Sequence, residues 1–350
     1  MAVITPQKLN DLVQTTNRRY GRPKFTQIAT SLQKYTWFKN LILKSQQADE
    51  DVGTGGTGFQ WDVMVNHSGS AQNVGIGAPD NVIIVDTMTQ AQADWRGSTA
   101  NYGIFAEEIS MNAGASRIVD LIRTRQVACM ISVAELMEQN GWGPPVAVSD
   151  EVTPWGVNTW LVKNATEGFN GGAPAGHTTI GLNPTTYPRW KNYTFQYTAL
   201  TEDDGIDKWR RAARKTKFES PVETADFSTG DSMGFFVNEP TINTLEKYLK
   251  QNNENLGTDI AKYMGDVTFM RVRVQWVPYL DADTTDPIYG LQWGDFKTKV
   301  LQGWWLRETY IPHYPGQHTL GVYFKDCRYN HLMRNRRNSF VGAKGTSYPS

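Results

Sequence analysis

No stretch of this 350-residue sequence is apolar for the ~18 residues a membrane span needs, and its opening MAVITPQKLNDLV lacks the apolar block of a secretory signal. Cysteine is nearly missing. Cys129 and Cys327 are too few for a disulfide framework or a four-thiolate zinc site. Cys129 falls in an apolar helical stretch, where a thiol packs as a small hydrophobe. The usage fits folding in a reducing cytoplasm. An excess of one charge is missing too: 35 basic residues balance 35 acidic ones, so no overall field draws a polyanion. Lysine is absent from Ser45 to Val162, between Lys44 and Lys163.

Catalytic patterns are also lacking. His67, His177, His313, His318 and His331 are scattered, and none has metal-ligand spacing. DADTTD (Asp281 to Asp286) lacks the glycine and closing glutamate of a calcium loop and reads as an exposed acidic turn. DEDVGTGGTG (Asp49 to Gly58) lacks the Gly-Lys-Ser/Thr ending of a phosphate loop and reads as a flexible elbow. No Gly-x-Ser-x-Gly elbow or papain-like cysteine is present. Glu107 and Glu108, read as neighbours on a strand, would point to opposite faces and serve poorly as a glycosidase pair. The expectation is no catalytic residue, no cofactor and no metal.

What the sequence does have is aromatic surface, 12 Trp and 15 Tyr, suited to large protein interfaces or to sugar binding. The first fifty residues hold a helix start at Thr5 and Pro6, with Leu9, Leu12 and Val13 on one face. A weakly apolar stretch through Leu32, Tyr35, Trp37, Phe38, Leu41 and Ile42 follows. This segment has too little core of its own and reads as an arm. FQWDVMVNH alternates from Phe59, and Asn81 to Trp95 is extended sequence without Gly or Pro. Together they predict a hairpin whose second strand would be about 50 Å long. That is comparable to a whole body of this size, so the hairpin must reach a neighbour.

The residues after SMNAGAS, from Ser116 to Asn140, predict a helix of nearly 40 Å. Ser110, Asn112 and Ser116 are candidate caps, and Asn140-Gly141 is a terminator. Ile118, Leu121, Ile122, Cys129, Val133 and Leu136 track its apolar side; Arg117, Arg123, Arg125, Glu135 and Glu138 its polar one. Later come turn-rich loops, a basic amphipathic helix at DGIDKWRRAARKTKF, a helix at NEPTINTLEKYLKQ and a run of strands. Two basic clusters, with Arg210, Arg211 and Arg214 in one and Arg334, Arg336 and Arg337 in the other, are candidate contacts for nucleic acid or an acidic face.

The order of these parts resembles the major capsid protein of tailed double-stranded DNA bacteriophages. The resemblance rests on the hairpin from Phe59 to Trp95, STANYGIFAEEIS, the helix from Ser116 to Asn140, and NPTTYPRWKN, GFFVNEPTINTLEKYL, VTFMRVRVQWVPYLD and PIYGLQWGDF. It implies an α+β fold: an N-terminal arm (1–50), an extended hairpin loop (51–98), a peripheral domain of spine helix and sheet (99–145 and 267–350), and an inserted axial domain (146–266). It implies no enzyme but a self-assembling structural subunit in pentamers and hexamers, assembled in the host cytoplasm, resident in the virion and enclosing double-stranded DNA through non-specific contact. Trp37 and Phe38 of the arm, and Trp61, Val63, Val65, Val82, Ile84 and Trp95 of the hairpin, are then expected at seams between subunits. Portal, scaffolding and cement proteins are the implied partners; no membrane is. Because the arm starts almost at Met1, a separate scaffolding protein or scaffold-free assembly is expected. An encapsulin-like compartment shell and a carbohydrate-active enzyme or lectin are the alternative readings.

Some capsid proteins of this kind are cross-linked by an isopeptide bond between a hairpin lysine and a neighbour's asparagine. The bond needs a nucleophilic amine, and arginine does not substitute. With no lysine from Ser45 to Val162, the hairpin supplies none. Boiled mature particles are expected to run as one band near 39.4 kDa on a denaturing gel; a ladder resistant to heat and reductant would contradict this.

Overall fold

The sequence from Ala115 to Trp142 is one unbroken helix, as its run of Leu, Ile, Arg, Gln, Met and Glu without proline dictates. In this computed structural model the described residues are 29–42, 52–76, 84–111, 115–143, 150–173, 181–218, 233–251 and 267–345. The expected helix at Thr5, the cap at Asn112 and the seam residue Val82 lie outside them. At 1.5 Å per residue the spine helix is about 42 Å long. Leu121, Cys129, Val133 and Met137 form its buried stripe, while Arg123, Ala128, Ser132 and Leu136 are exposed. Leu136 was expected inside and Glu138 outside; the structure reverses both. The buried stripe widens at residues 137 and 138 because the arm covers the helix there.

Strand β1 (Val52–Gly53) follows the arm, then β2 (Gly58–Met64) and β3 (Met88–Asp94). The last two pair antiparallel from Gly58↔Asp94 to Met64↔Met88, a ladder of about 23 Å. The expected 50 Å strand from Asn81 to Trp95 is therefore shorter: among its described residues 84–87 are not strand and Met88–Asp94 are. After Asp94 the chain turns at Trp95 and continues as β4 (Arg96–Phe105), which pairs in another sheet. Strand-forming composition does not reveal where pairing begins. Residues Ala106–Met111 are helical, so Glu107 and Glu108 do not lie on a strand.

The remaining strands are β5 (Gly168–Gly171), β6 (Asn192–Tyr197), β7 (Met233–Val237), β8 (Thr268–Phe269), β9 (Val272–Trp276), β10 (Ile288–Gln292), β11 (Phe296–Leu301), β12 (Arg307–Ile311), β13 (Leu320–Met333) and β14 (Phe340–Lys344). A five-stranded sheet runs β1-β11-β13-β12 with β4 beside β13; a seven-stranded sheet runs β5-β6-β14-β10-β7-β9-β8. The second sheet draws β8, β9, β10 and β14 from residues beyond 267. That sheet takes strands from both sides of the expected boundary between 146–266 and 267–350, since sheet partners are set by pairing, not by composition. One core joins the spine helix, the hairpin base and both sheets through Trp37, Met137, Trp142, Trp160, Phe236, Tyr289 and Tyr329. A second fills the space between the seven-stranded sheet and the basic helix (Asp207–Lys215), around Trp209, Phe195, Phe235 and Phe340.

The chain passes between the sheets at residues 293–295 and again at 334–339. Asp295 and Asn338 meet there. The Asn338 amide donates to Asp295 Oδ2 at 2.8 Å, and Arg334 N–H to the Asp295 carbonyl at 2.8 Å. Burial pushes the Asp295 carboxyl up to about 6, against the pull of Asn338 and the Arg334 charge. A raised carboxyl means the folded chain binds a proton that the unfolded chain releases near pH 4. This group's contribution to stability therefore falls as pH rises from about 4 to 6 and is flat above. Asp295→Asn removes that loss, worth up to about 3 kcal/mol. Its melting temperature relative to wild type is expected to climb between pH 4 and 7; a difference constant over that range would refute the assignment.

Candidate assembly surfaces

Two glutamates of the spine helix hold the arm. Glu138 is fully buried. Its Oε1 accepts from Thr36 N–H (2.9 Å), Trp37 N–H (3.1 Å) and the Trp142 indole (2.8 Å), and its Oε2 from Phe38 N–H (2.9 Å). Residues 36–42 are a short helical turn, and the first N–H groups of a turn have no partner within it. A carboxylate satisfies them and meets the positive end of the local dipole. Burial pushes the Glu138 carboxyl up, while these four donors pull it down. One turn earlier, Glu135 accepts from Ser31 N–H at 2.6 Å and the Tyr35 hydroxyl at 2.9 Å. The Ser31 contact leads in holding its carboxyl below the usual range.

The clamp seats Trp37 in the core. Its ring lies against Trp142, Trp293, Phe296 and His331, with centroids 5.1 to 5.7 Å away. Its indole N–H donates to His331 Nε2 at 3.3 Å, leaving His331 Nδ1 to bond Thr298 Oγ1 at 2.9 Å. Burial pushes that imidazole down to about 3, so it is neutral. Gly141 makes room: a Cβ there would stand 2.3 Å from the Trp37 ring.

The hairpin divides into a fixed base and an exposed end. Phe59, Trp61, Val63 and Val65 pack on the chain's own core, and Ala91 and Ala93 of β3 are buried. Trp61 lies 6.2 Å from Trp160 and Trp95 4.9 Å from Phe59. Asn330 locks the base, donating to the Asp94 carbonyl at 2.8 Å and accepting from Trp155 N–H at 2.9 Å. Beyond it, Met64, Val74, Ile76, Ile84, Val85 and Met88 are exposed, Ile84 at 93% and Ile76 at 110%. Of the described residues expected at seams, Trp37 is fully buried in its own subunit, Phe38, Trp61, Val63, Val65 and Trp95 are half-buried, and Ile84 points outward. Alternation gives the apolar face but not what covers it, and the exposed Met64, Val74, Ile76, Val85 and Met88 carried no such signal.

The arginines also separate. Arg336, expected on the surface, is fully buried and donates to the carbonyls of Trp160 (2.7 Å), Gly172 (2.9 Å), Gly171 (3.3 Å) and Trp190 (3.4 Å) and to Asn192 Oδ1 (3.2 Å). Burial pulls it down to about 9. It ties residues 160, 171–172 and 190–192 to its own turn and presents no charge at the surface. Arg334 is half-buried beside Asp295, and Arg211 pairs with Asp207 at 2.6 Å. Arg214 is exposed, and Arg210 and Arg337 are half-exposed.

The acids set aside in the sequence are structural. Glu108 binds Arg125 bidentately (2.7 and 2.9 Å), tying the spine helix to the residues after β4. Asp281 accepts from Glu239 N–H at 2.7 Å, Asp283 pairs with Lys163, and Asp286 with Asn238 at 2.7 Å. Among the described residues no three His, Cys, Asp or Glu converge as a metal site would require. Among the described residues no tryptophan is fully exposed; Trp276, Trp293, Trp304 and Trp305 are half-buried. No described helix is long and apolar enough to cross a membrane.

No protein-family model and no curated protein matches the chain. Solved structures do. The chain matches a chain of the cyanophage A-1(L) capsid asymmetric unit over 99% of its own length and 100% of the other, with TM-score 0.64 and 12% identity. It matches the capsid of the empty GTA particle over 99% of both chains, with TM-score 0.59 and 11% identity. A chain of Mycobacterium phage Ogopogo matches over 98% and 100%, with TM-score 0.51 and 13% identity. The fold is that of a tailed-phage major capsid protein. Within this fold the Glu138 clamp ties residues 36–38 to the spine helix. Glu138→Ala leaves three backbone N–H groups buried without an acceptor, each costing about 1–3 kcal/mol. Trypsin is expected to cut the variant after Lys34 and Lys39 at conditions where the wild type resists; equal cleavage of both proteins would refute the clamp.

Proposed function

We propose that the chain is the structural subunit of an icosahedral phage capsid, joining copies of itself in pentamers and hexamers around double-stranded DNA. The observation that carries this reading is the outer end of the hairpin. Six apolar side chains, Met64, Val74, Ile76, Ile84, Val85 and Met88, project from a hairpin whose base is anchored in its own core. A lone subunit has nothing in the described residues to cover them. A second copy would, at roughly 25 cal/mol per Å² of apolar area removed from water, and a heterologous contact whose rotation closes makes a ring. The full-length match to phage capsid chains supports the same conclusion. Scaffolding, portal and cement proteins belong to this proposal as partners, with assembly in the host cytoplasm.

The test is to replace Ile76 and Ile84 with Asp together. Both sit in solvent, so circular dichroism and melting of the subunit are expected to match wild type. Negative-stain images of the wild type are expected to show closed shells or rings, and those of the double variant dispersed subunits. Shells formed equally by both proteins would overturn the role of the hairpin end. Dispersed wild-type protein would count against the capsid reading itself.

A further inference from the structure

The two basic stretches, far apart in sequence, meet on one face of the seven-stranded sheet. Phe169 of β5 and Phe218, just beyond the basic helix, lie 5.8 Å apart. Arg337 lays its guanidinium over both, 4.4 Å from the Phe218 ring centre and 5.1 Å from that of Phe169. Phe169 in turn meets Tyr193 edge-on at 5.2 Å, and Lys215 holds its ammonium 5.8 Å from the Tyr193 ring. A row of three rings thus carries a cation at each end.

A ring face holds a cation without cancelling its charge. Carboxylates do cancel it, and they do so for two other basic residues of the helix: Lys208 pairs with Asp204 and Arg211 with Asp207, each at 2.6 Å. Arg214 and Lys217, next in sequence to Lys215 and Phe218, are exposed, as is Arg189. Burial, and then the Arg189 charge, lowers the pKa of Arg337, so these two guanidiniums repel. Glu167, bordering the row, accepts the Tyr193 hydroxyl at 2.9 Å and lies 3.9 Å from Arg211.

We propose that Arg337, Arg189, Lys215, Arg214 and Lys217 form a binding surface for the phosphate backbone of double-stranded nucleic acid. Like-charged side chains held at a fixed spacing gain most from a partner with regularly spaced negative charge, and each neutralised phosphate releases counterions. Single-strand binding uses open ring faces for base stacking, and here Arg337 and Lys215 cover them. A protein partner would bury apolar surface; the large exposed apolar side chains lie mainly on the hairpin, with Met270 the neighbour near Lys217. Contact through phosphates alone carries no sequence preference. The assignment deepens the capsid reading, since it names the face turned towards packaged DNA, but binding by the isolated subunit does not depend on assembly.

The experiment is fluorescence anisotropy of unassembled full-length subunit with a labelled duplex of roughly 30 base pairs, titrated between about 50 and 200 mM salt. Five contacts predict a slope of log affinity against log salt of about −4 to −5, a loss of several hundred-fold across that range. Arg214→Ala with Lys217→Ala, both on exposed positions, is expected to flatten the slope by about 2. Duplexes of different sequence are expected to bind alike. The Ile76→Asp, Ile84→Asp protein is expected to bind as wild type does, which separates this test from the assembly test. No binding at the lowest salt, or unchanged slope and affinity in the Arg214/Lys217 variant, would overturn the proposal. So would tighter binding of single strands, or a variant that loses assembly while binding duplex normally, which would make the row a contact for an acidic subunit face.

Discussion

A buried carboxylate without a counter-ion at hand is costly, and Glu138 is tolerable only because four N–H groups converge on it. Three of those belong to the arm. The arm therefore cannot lift away without exposing or stranding a charge, and the spine helix cannot turn on its axis without breaking the same set. Trp37 is carried into the core by this bond geometry. Around Trp37 stand side chains from the spine helix, from β11 and β13, and from the turn after β10. One interaction of sequence-distant residues thus fixes how arm, helix and sheets are stacked.

The join between the two sheets uses the same chemistry with the opposite sign. Arg336 is a buried cation solvated by backbone carbonyls, and Asp295 is a buried acid beside it in the sequence of crossings. Both lie where the chain leaves one sheet for the other. Irregular segments leave backbone groups unpaired, and long polar side chains are what reach them. Apolar packing alone would let the sheets slide; directional bonds to named carbonyls do not.

Much of the fold was legible from local pattern. The spine helix, the helix from Glu239, the β2 alternation and most strands after residue 267 follow from period, caps and composition. What was not legible shares one physical cause, which is the identity of the covering partner. Glu135 and Glu138 look like the solvent side of a helix until the arm is laid on them. Phe59, Trp61 and Val63 form a clean apolar face, but nothing in alternation says whether the cover is the same chain or another. The exposed Ile76 lies in a Gly-rich turn whose composition gave no sign of a contact surface. Arg336 and Arg337 are adjacent in a basic run, yet one is a buried staple and the other lies on ring faces, because a 3₁₀ turn at 336–338 sends them in different directions.

The hairpin is built like a cantilever. Its root is clamped by Asn330, Trp61 and Trp95, and its far end makes no bond to the body that carries it among the described residues. A beam of this kind is stiff against sliding along its length, since the ladder and the root resist it, and compliant against bending at the tip. In the proposed shell of pentamers and hexamers, the same pair of neighbours would meet at more than one angle. A contact made at the compliant end of a rigidly rooted beam can be repeated at each of those angles without remaking the core.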